Sequence, residues 1–106
     1  AATPVAEESA QEFHEQVDLL AWTKMMAVMV GGGVPYGQIF RLQRKHLGRW
    51  LHPVIDDCDT SILHAGQTLS ECLGRYPASF APDFVATVEL GELSNLGRAF
   101  ERLYEQ

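Results

Sequence analysis

Residues Leu19 to Phe40 read LLAWTKMMAVMVGGGVPYGQIF, and this stretch decides the fold. Leu19, Trp22, Met26, Met29 and Val30 recur at helical spacing, while Val17, Leu20, Met25 and Val28 fill much of the remaining circumference. A helix apolar on several sides is expected to sit centrally, covered by its neighbours. Thr23 and Lys24 interrupt the run, which falls short of the roughly 20 apolar residues that a bilayer requires. Gly31-Gly32-Gly33 ends the helix, because glycine accepts the left-handed conformation that a helix C-terminus often needs. Pro35 opens the next helix, its fixed φ suiting a first helical position.

The same elbow, a helix closed by glycine and followed at once by a shorter amphipathic helix, recurs at Gly66 and Gly91. Tyr36, Ile39, Phe40, Leu47, Trp50 and Leu51 line one side of the second helix, and Gly48 and Pro53 break the chain between about 47 and 53. The third helix carries Leu51, Ile55, Cys58, Ile62 and Ala65 at helical spacing, with Asp56, Asp57 and Asp59 placed to favour its N-terminal dipole. Thr68 and Glu71 form a capping box ahead of Leu69, Cys72, Leu73 and Tyr76, a short helix that Pro77 ends. Pro82 begins a fifth helix with Phe84, Val85 and Val88, ending near Gly91. Ser94 or Asn95 caps a last helix bearing Leu96, Phe100, Leu103 and Tyr104. No segment alternates as a strand, so the expected fold is all-α: an antiparallel bundle of about six helices in three helix–glycine elbow–helix units. Residues 1–10 are read as a flexible lead-in and residues 11–106 as one domain. The expected core holds Leu19, Trp22, Met26, Ile39, Phe40, Ile62, Leu69, Phe84, Val88 and Phe100.

The chain has 106 residues, 46% hydrophobic and 21% charged, with a formal net charge of −6. That balance excludes a disordered segment and a surface devoted to nucleic acid, which needs a basic footprint. Two cysteines are too few for a disulfide scaffold. Cys58 and Cys72 fall on apolar stripes and are read as buried, reduced thiols. The chain begins on Ala1 without a leader pattern and is read as a module of a longer protein.

Enzyme chemistry finds no foothold. His14, His46, His52 and His64 match no zinc-binding spacing. Asp57 does not begin a calcium loop, since Ile62 stands where glycine is required and Thr68 where the terminal glutamate belongs. The glycine triplet lacks the Lys-Ser/Thr of a phosphate loop. A small metalloenzyme built from histidines and carboxylates is the weakest of three readings; a soluble helical adaptor is the second. One charge run stands out. Arg41, Arg44, Lys45 and Arg49 are half of the eight basic residues and lie within nine positions. They are candidates for an acidic protein partner or anionic lipid, against the plainer reading of a solvated helix face. Met25, Met29, Phe80 and Phe84, where exposed, would offer an apolar contact surface, with plain core packing the favoured reading of the methionines and Phe80 the named partner-binding candidate.

The elbows also carry a family pattern. Gly33-Val34-Pro35, Ile62, the run G-Q-T-L-S-E-C-L from Gly66 to Leu73, Tyr76-Pro77 with Phe80 and Pro82, Glu89-Leu90-Gly91-Glu92, Ser94-Asn95-Leu96 and Phe100-Glu101-Arg102-Leu103 follow in order. From Leu19 to Leu103 the chain resembles the cytoplasmic domain of the type II secretion protein F / type IV pilus PilC family. Asn95 stands where the family has a glycine, and Pro53 is unusual inside the third helix.

The resemblance implies a non-enzymatic cytoplasmic scaffold domain of a multi-pass inner-membrane platform protein. It implies homodimerisation, contact with the cytoplasmic assembly ATPase and other inner-membrane components, and action on pilins through the parent protein. It implies no cofactor beyond a weak interface metal such as calcium, for which Glu89 and Glu92 are the carboxylates to inspect. It leaves open whether the parent serves secretion or pilus assembly.

Overall fold

The computed structural model describes the backbone of residues 4–106 and the side chains of residues 9–106. Six α-helices follow in order: α1 (Pro4–Gly31), α2 (Tyr36–His46), α3 (His52–Leu63), α4 (Leu69–Leu73), α5 (Pro82–Glu92) and α6 (Leu96–Glu105). A 3₁₀ turn, Arg49–Leu51, leads into α3. No strand forms among the described residues, so the chain is the all-α bundle that its periodicity predicts. Each helix packs on the next in sequence, and α6 returns along α1 to close the ring. Gly97 lies against Gly31 and Tyr104 beneath Lys24, so α6 runs antiparallel to α1.

The first helix is longer than its apolar stripe predicts. Ala1, Ala2 and Thr3 of the expected lead-in lie outside the described residues, but the chain is helical from Pro4. Alanine, glutamate and glutamine propagate a helix without any apolar face, so this stretch carries no periodic signal. A helix of 28 residues is about 42 Å long. It accounts for the 50 Å long axis of a domain only 27 and 23 Å across.

Trp22 of α1 lies at the centre of the core, its ring 4.9 Å from Phe80 and 5.6 Å from Phe100. Of the expected core, Trp22, Met26, Ile39, Phe40, Leu69, Val88 and Phe100 are buried. Leu19, Ile62 and Phe84 are half-buried and pack against it.

Two elbows turn through left-handed glycine. Gly33 has φ 76°, its N–H donating to the Val30 carbonyl (3.1 Å) while the Val34 N–H reaches the Met29 carbonyl (2.9 Å). These are the two bonds of a Schellman stop, and Val34 and Met29 both pack on the core, the apolar contact that often accompanies that motif. Pro35 sits one position earlier than predicted, as the extended N-cap residue of α2, and its carbonyl accepts from Gln38 and Ile39. Gly66 has φ 69°, and the Gln67 N–H then reaches back to the Ser61 carbonyl (2.9 Å).

The third elbow works differently. The fifth helix ends near Gly91 as expected, but Gly91 stays helical and its φ is not positive. A side chain there would place its Cβ 2.5 Å from the Ala99 Cβ and 3.3 Å from the Leu96 Cα. Gly91 is needed for the close approach of α5 and α6, not for a left-handed turn. The turn itself is held by Asn95, whose side chain caps α6 by accepting from the Arg98 N–H (3.0 Å).

Candidate functional site

Phe13, Val17, Leu20 and Val28 fall at spacings of four, three and eight residues, which places them on one face of α1. They are 62, 48, 50 and 59% exposed. The sequence predicts that α1 is covered on several sides, and the structure corrects this. Neighbours cover Trp22, Met26 and the residues beside them, leaving Val17, Leu20 and Val28 without cover in the domain. On the covered side, Asp18 accepts from the Trp50 indole N–H (2.7 Å), tying α1 to the 3₁₀ turn. The sequence signal for the open face was the apolar Val17, Leu20 and Val28 outside the main stripe of α1; Phe13 itself had none.

The apolar residues predicted for a contact surface do not supply it. Phe80 is 2% exposed, sandwiched between Trp22 and Phe84, because the turn after Pro77 drives its ring inward. Met25, Met29 and Phe84 are half-buried against the core.

The basic residues Arg41, Arg44, Lys45 and Arg49 are all exposed, on α2 and the start of the 3₁₀ turn. Arg44 is already engaged, its guanidinium bonding both oxygens of Asp56 on α3 at 2.6 and 2.7 Å. Arg44, Lys45 and His46 also occupy the last turn of α2, where positive charge suits the helix dipole. His52 donates from Nε2 to the Arg44 carbonyl (2.9 Å), satisfying one of the free carbonyls at that end. Arg41, Lys45 and Arg49 form no ion pair among the described residues.

Glu92, one of the two carboxylates that the resemblance singles out, is spent within the fold. It accepts from the Ser70 N–H (3.1 Å) and the Ser70 hydroxyl at the N-terminal turn of α4. Thr68 accepts from the Glu71 N–H (3.2 Å), one half of the expected capping box. The returning bond from Glu71 to the Thr68 N–H is absent among the described residues; Glu92 accepts instead from a different N–H of that turn, that of Ser70. Glu89 is exposed one turn before Glu92. No three histidine, cysteine, aspartate or glutamate side chains converge as a ligand set among the described residues.

Asp57 is not a solvated dipole group as predicted. It accepts from Arg75 through Nη2 (2.9 Å) and Nε (3.2 Å), from the Ser61 hydroxyl (2.6 Å) and from the Tyr76 hydroxyl (2.6 Å). Nothing in local spacing announces a partnership across 18 residues. The Arg75 bond, then those from Ser61 and Tyr76, hold the Asp57 carboxyl well below the usual carboxylate range. The same carboxylate pushes the Tyr76 hydroxyl up to about 12. A lowered aspartate pKa stabilises the fold fully above the unfolded value near 3.8 and less as pH falls through that value towards the folded one. Asp57→Asn is expected to cost about 1–2 kcal/mol at pH 7 and to flatten the acid limb below pH 4, read from urea midpoints across pH.

The described residues thus form a packed helical bundle with a partly open apolar helix face and a basic helix end. The chain belongs to the family of type II secretion system (T2SS) protein F, whose model matches residues 22–106. That is a family of secretion and pilus platform proteins of the inner membrane. No curated protein matches the chain. Among the described residues no helix is long and apolar enough to cross a membrane.

Proposed function

We propose that this is a non-enzymatic scaffold domain on the cytoplasmic face of the inner membrane. It joins a platform protein to its machinery through two surfaces. The apolar face of α1 receives a second copy of the chain, making a homodimer. The basic end of α2 meets acidic groups of the assembly ATPase, and the rigid ring of helices carries the motion of that ATPase to the membrane part that handles pilins. The single observation that supports the reading best is the α1 face: four large apolar side chains about half exposed or more, on one side of a helix that the core otherwise secures, with the exposed Lys24 between Leu20 and Val28. A stripe of this kind on a stable bundle is energetically idle unless another surface covers it.

The α2 contact is tested in the full-length protein. Arg41→Glu, Lys45→Glu and Arg49→Glu together, with Arg44 left on Asp56, are expected to cut secretion or pilus assembly roughly tenfold or more. The melting temperature of the domain should move by no more than about 2 °C. Undiminished assembly by a protein made at normal levels contradicts the contact. A large fall in melting temperature assigns these residues to the fold instead.

A further inference from the structure

Cys58 on α3 and Cys72 on α4 meet in the core, Sγ to Sγ at 2.7 Å. Both are free thiols, and both are buried. The sequence places them on separate apolar stripes, and the Gly66 elbow folds those stripes together. Their surroundings are polar on one side. Asp57 precedes Cys58, and Arg75, one turn beyond Cys72, is held on Asp57 by two bonds. The guanidinium is therefore fixed on the carboxylate next in sequence to Cys58.

The pair releases its protons unequally. Loss of the first proton is favoured by the hydrogen bond that the thiolate accepts from the remaining thiol, which outweighs burial and the nearby Asp57 carboxylate; Arg75 helps less. Loss of the second is opposed by that hydrogen bond, by burial and by the negative charge alongside. One thiolate beside one thiol is the state from which two sulfurs are oxidised to a disulfide.

We propose that Cys58 and Cys72 form a reversible intramolecular disulfide site, oxidised by a peroxide, that staples α3 to α4 across the Gly66 elbow. The thiolate attacks one peroxide oxygen and the O–O bond breaks, leaving a sulfenic acid and hydroxide, which leaves as water on taking up a proton. The second sulfur attacks the sulfenic sulfur, the S–O bond breaks, and the hydroxyl leaves as water with the proton of the second thiol. Two thiols and one hydrogen peroxide give one disulfide and two waters; sulfur is oxidised and peroxide reduced. A small-molecule thiol reverses the step by exchange. Both sulfurs are buried, so the step requires α4, a helix of five residues, to open locally from α3. The inference stands on the α3–α4 geometry and is independent of the proposed function.

The test uses the unaltered sequence, so no variant has to fold. The protein is treated with hydrogen peroxide, quenched, denatured, alkylated and weighed. The expected result is a mass about 2 Da lower with no alkylation, one cross-linked peptide pair carrying Cys58 and Cys72, and full reversal by dithiothreitol. The oxidised protein should melt on the order of 10 °C higher, since the link closes a loop in the unfolded chain. Two alkylated thiols after treatment overturn the proposal. So does oxidation to sulfinic acid without a cross-link, or a disulfide between chains.

Discussion

Trp22→Ala is expected to remove about 4 kcal/mol of stability, with a melting temperature lower by roughly 20 °C. The indole is 1% exposed and is bounded by Phe80, Phe84 and Phe100, which come from the α4–α5 turn, α5 and α6. Truncation leaves a void walled by three rings that belong to three separate segments, so no single movement fills it. A domain of this size has about 5–15 kcal/mol in all, and the loss is a large share of that. Leu20→Ala, two residues away on the open face, is the control, with an expected change within about 0.5 kcal/mol. Urea unfolding followed by far-UV circular dichroism separates the two. Similar losses at both positions would contradict the assignment of inner and outer faces to α1.

The second large effect is at Gly97. A Cβ there would lie 2.8 Å from the Gly31 Cα and 3.0 Å from the Gly31 N, both backbone atoms that cannot rotate aside. The antiparallel α1–α6 contact, the most extensive in the domain, must open to admit it. Alanine normally gains about 1 kcal/mol over glycine inside a helix. At Gly97 the sign is expected to reverse, with Gly97→Ala costing about 1 kcal/mol and Gly97→Val about 3 kcal/mol. Gly37 in α2 is the control, because a Cβ there meets only the Leu63 Cδ1 at an ordinary 3.6 Å. Gly37→Ala is expected to stabilise by about 0.5 kcal/mol or more. Denaturant midpoints of the three variants check the opposite signs, and stabilisation by Gly97→Ala would contradict the close approach.

What the sequence made legible follows from how local each signal is. The stops at Gly33 and Gly66 were readable because a left-handed turn needs glycine at one position and the neighbouring pattern changes with it. Gly91 belongs to the same written pattern, yet its requirement comes from Ala99 and Leu96 across the α5–α6 contact. A glycine chosen for space and a glycine chosen for backbone angle look alike in a sequence. The partners of Asp57 were illegible for a related reason, since Arg75 and Tyr76 reach it only after α4 has folded against α3. Phe80 was misplaced because the loop between Pro77 and Pro82 carries no periodicity to say which way its ring turns. The open face of α1 was half legible: a helix apolar all round must be covered, but which part of the cover the domain itself provides depends on where α6 lies.

The candidate surfaces divide in the same way. The basic run on α2 is visible in the sequence as a charge count, but the structure pairs Arg44 with Asp56 and leaves Arg41, Lys45 and Arg49 exposed. Glu92 is visible as part of a family pattern, but its work in this fold is to close the N-terminal turn of α4.

The central claim is that the apolar face of α1 is covered by a second copy of the chain. Sedimentation equilibrium from micromolar to near-millimolar protein tests it most directly, on the native domain and on a Val17→Glu, Leu20→Glu variant. The account predicts a reversible dimer for the native domain. It predicts a monomer for the variant, with a melting temperature within about 2 °C of the concentration-matched native monomer. A native domain that stays monomeric at the highest concentration, or a variant that dimerises as well as the native chain, would contradict it.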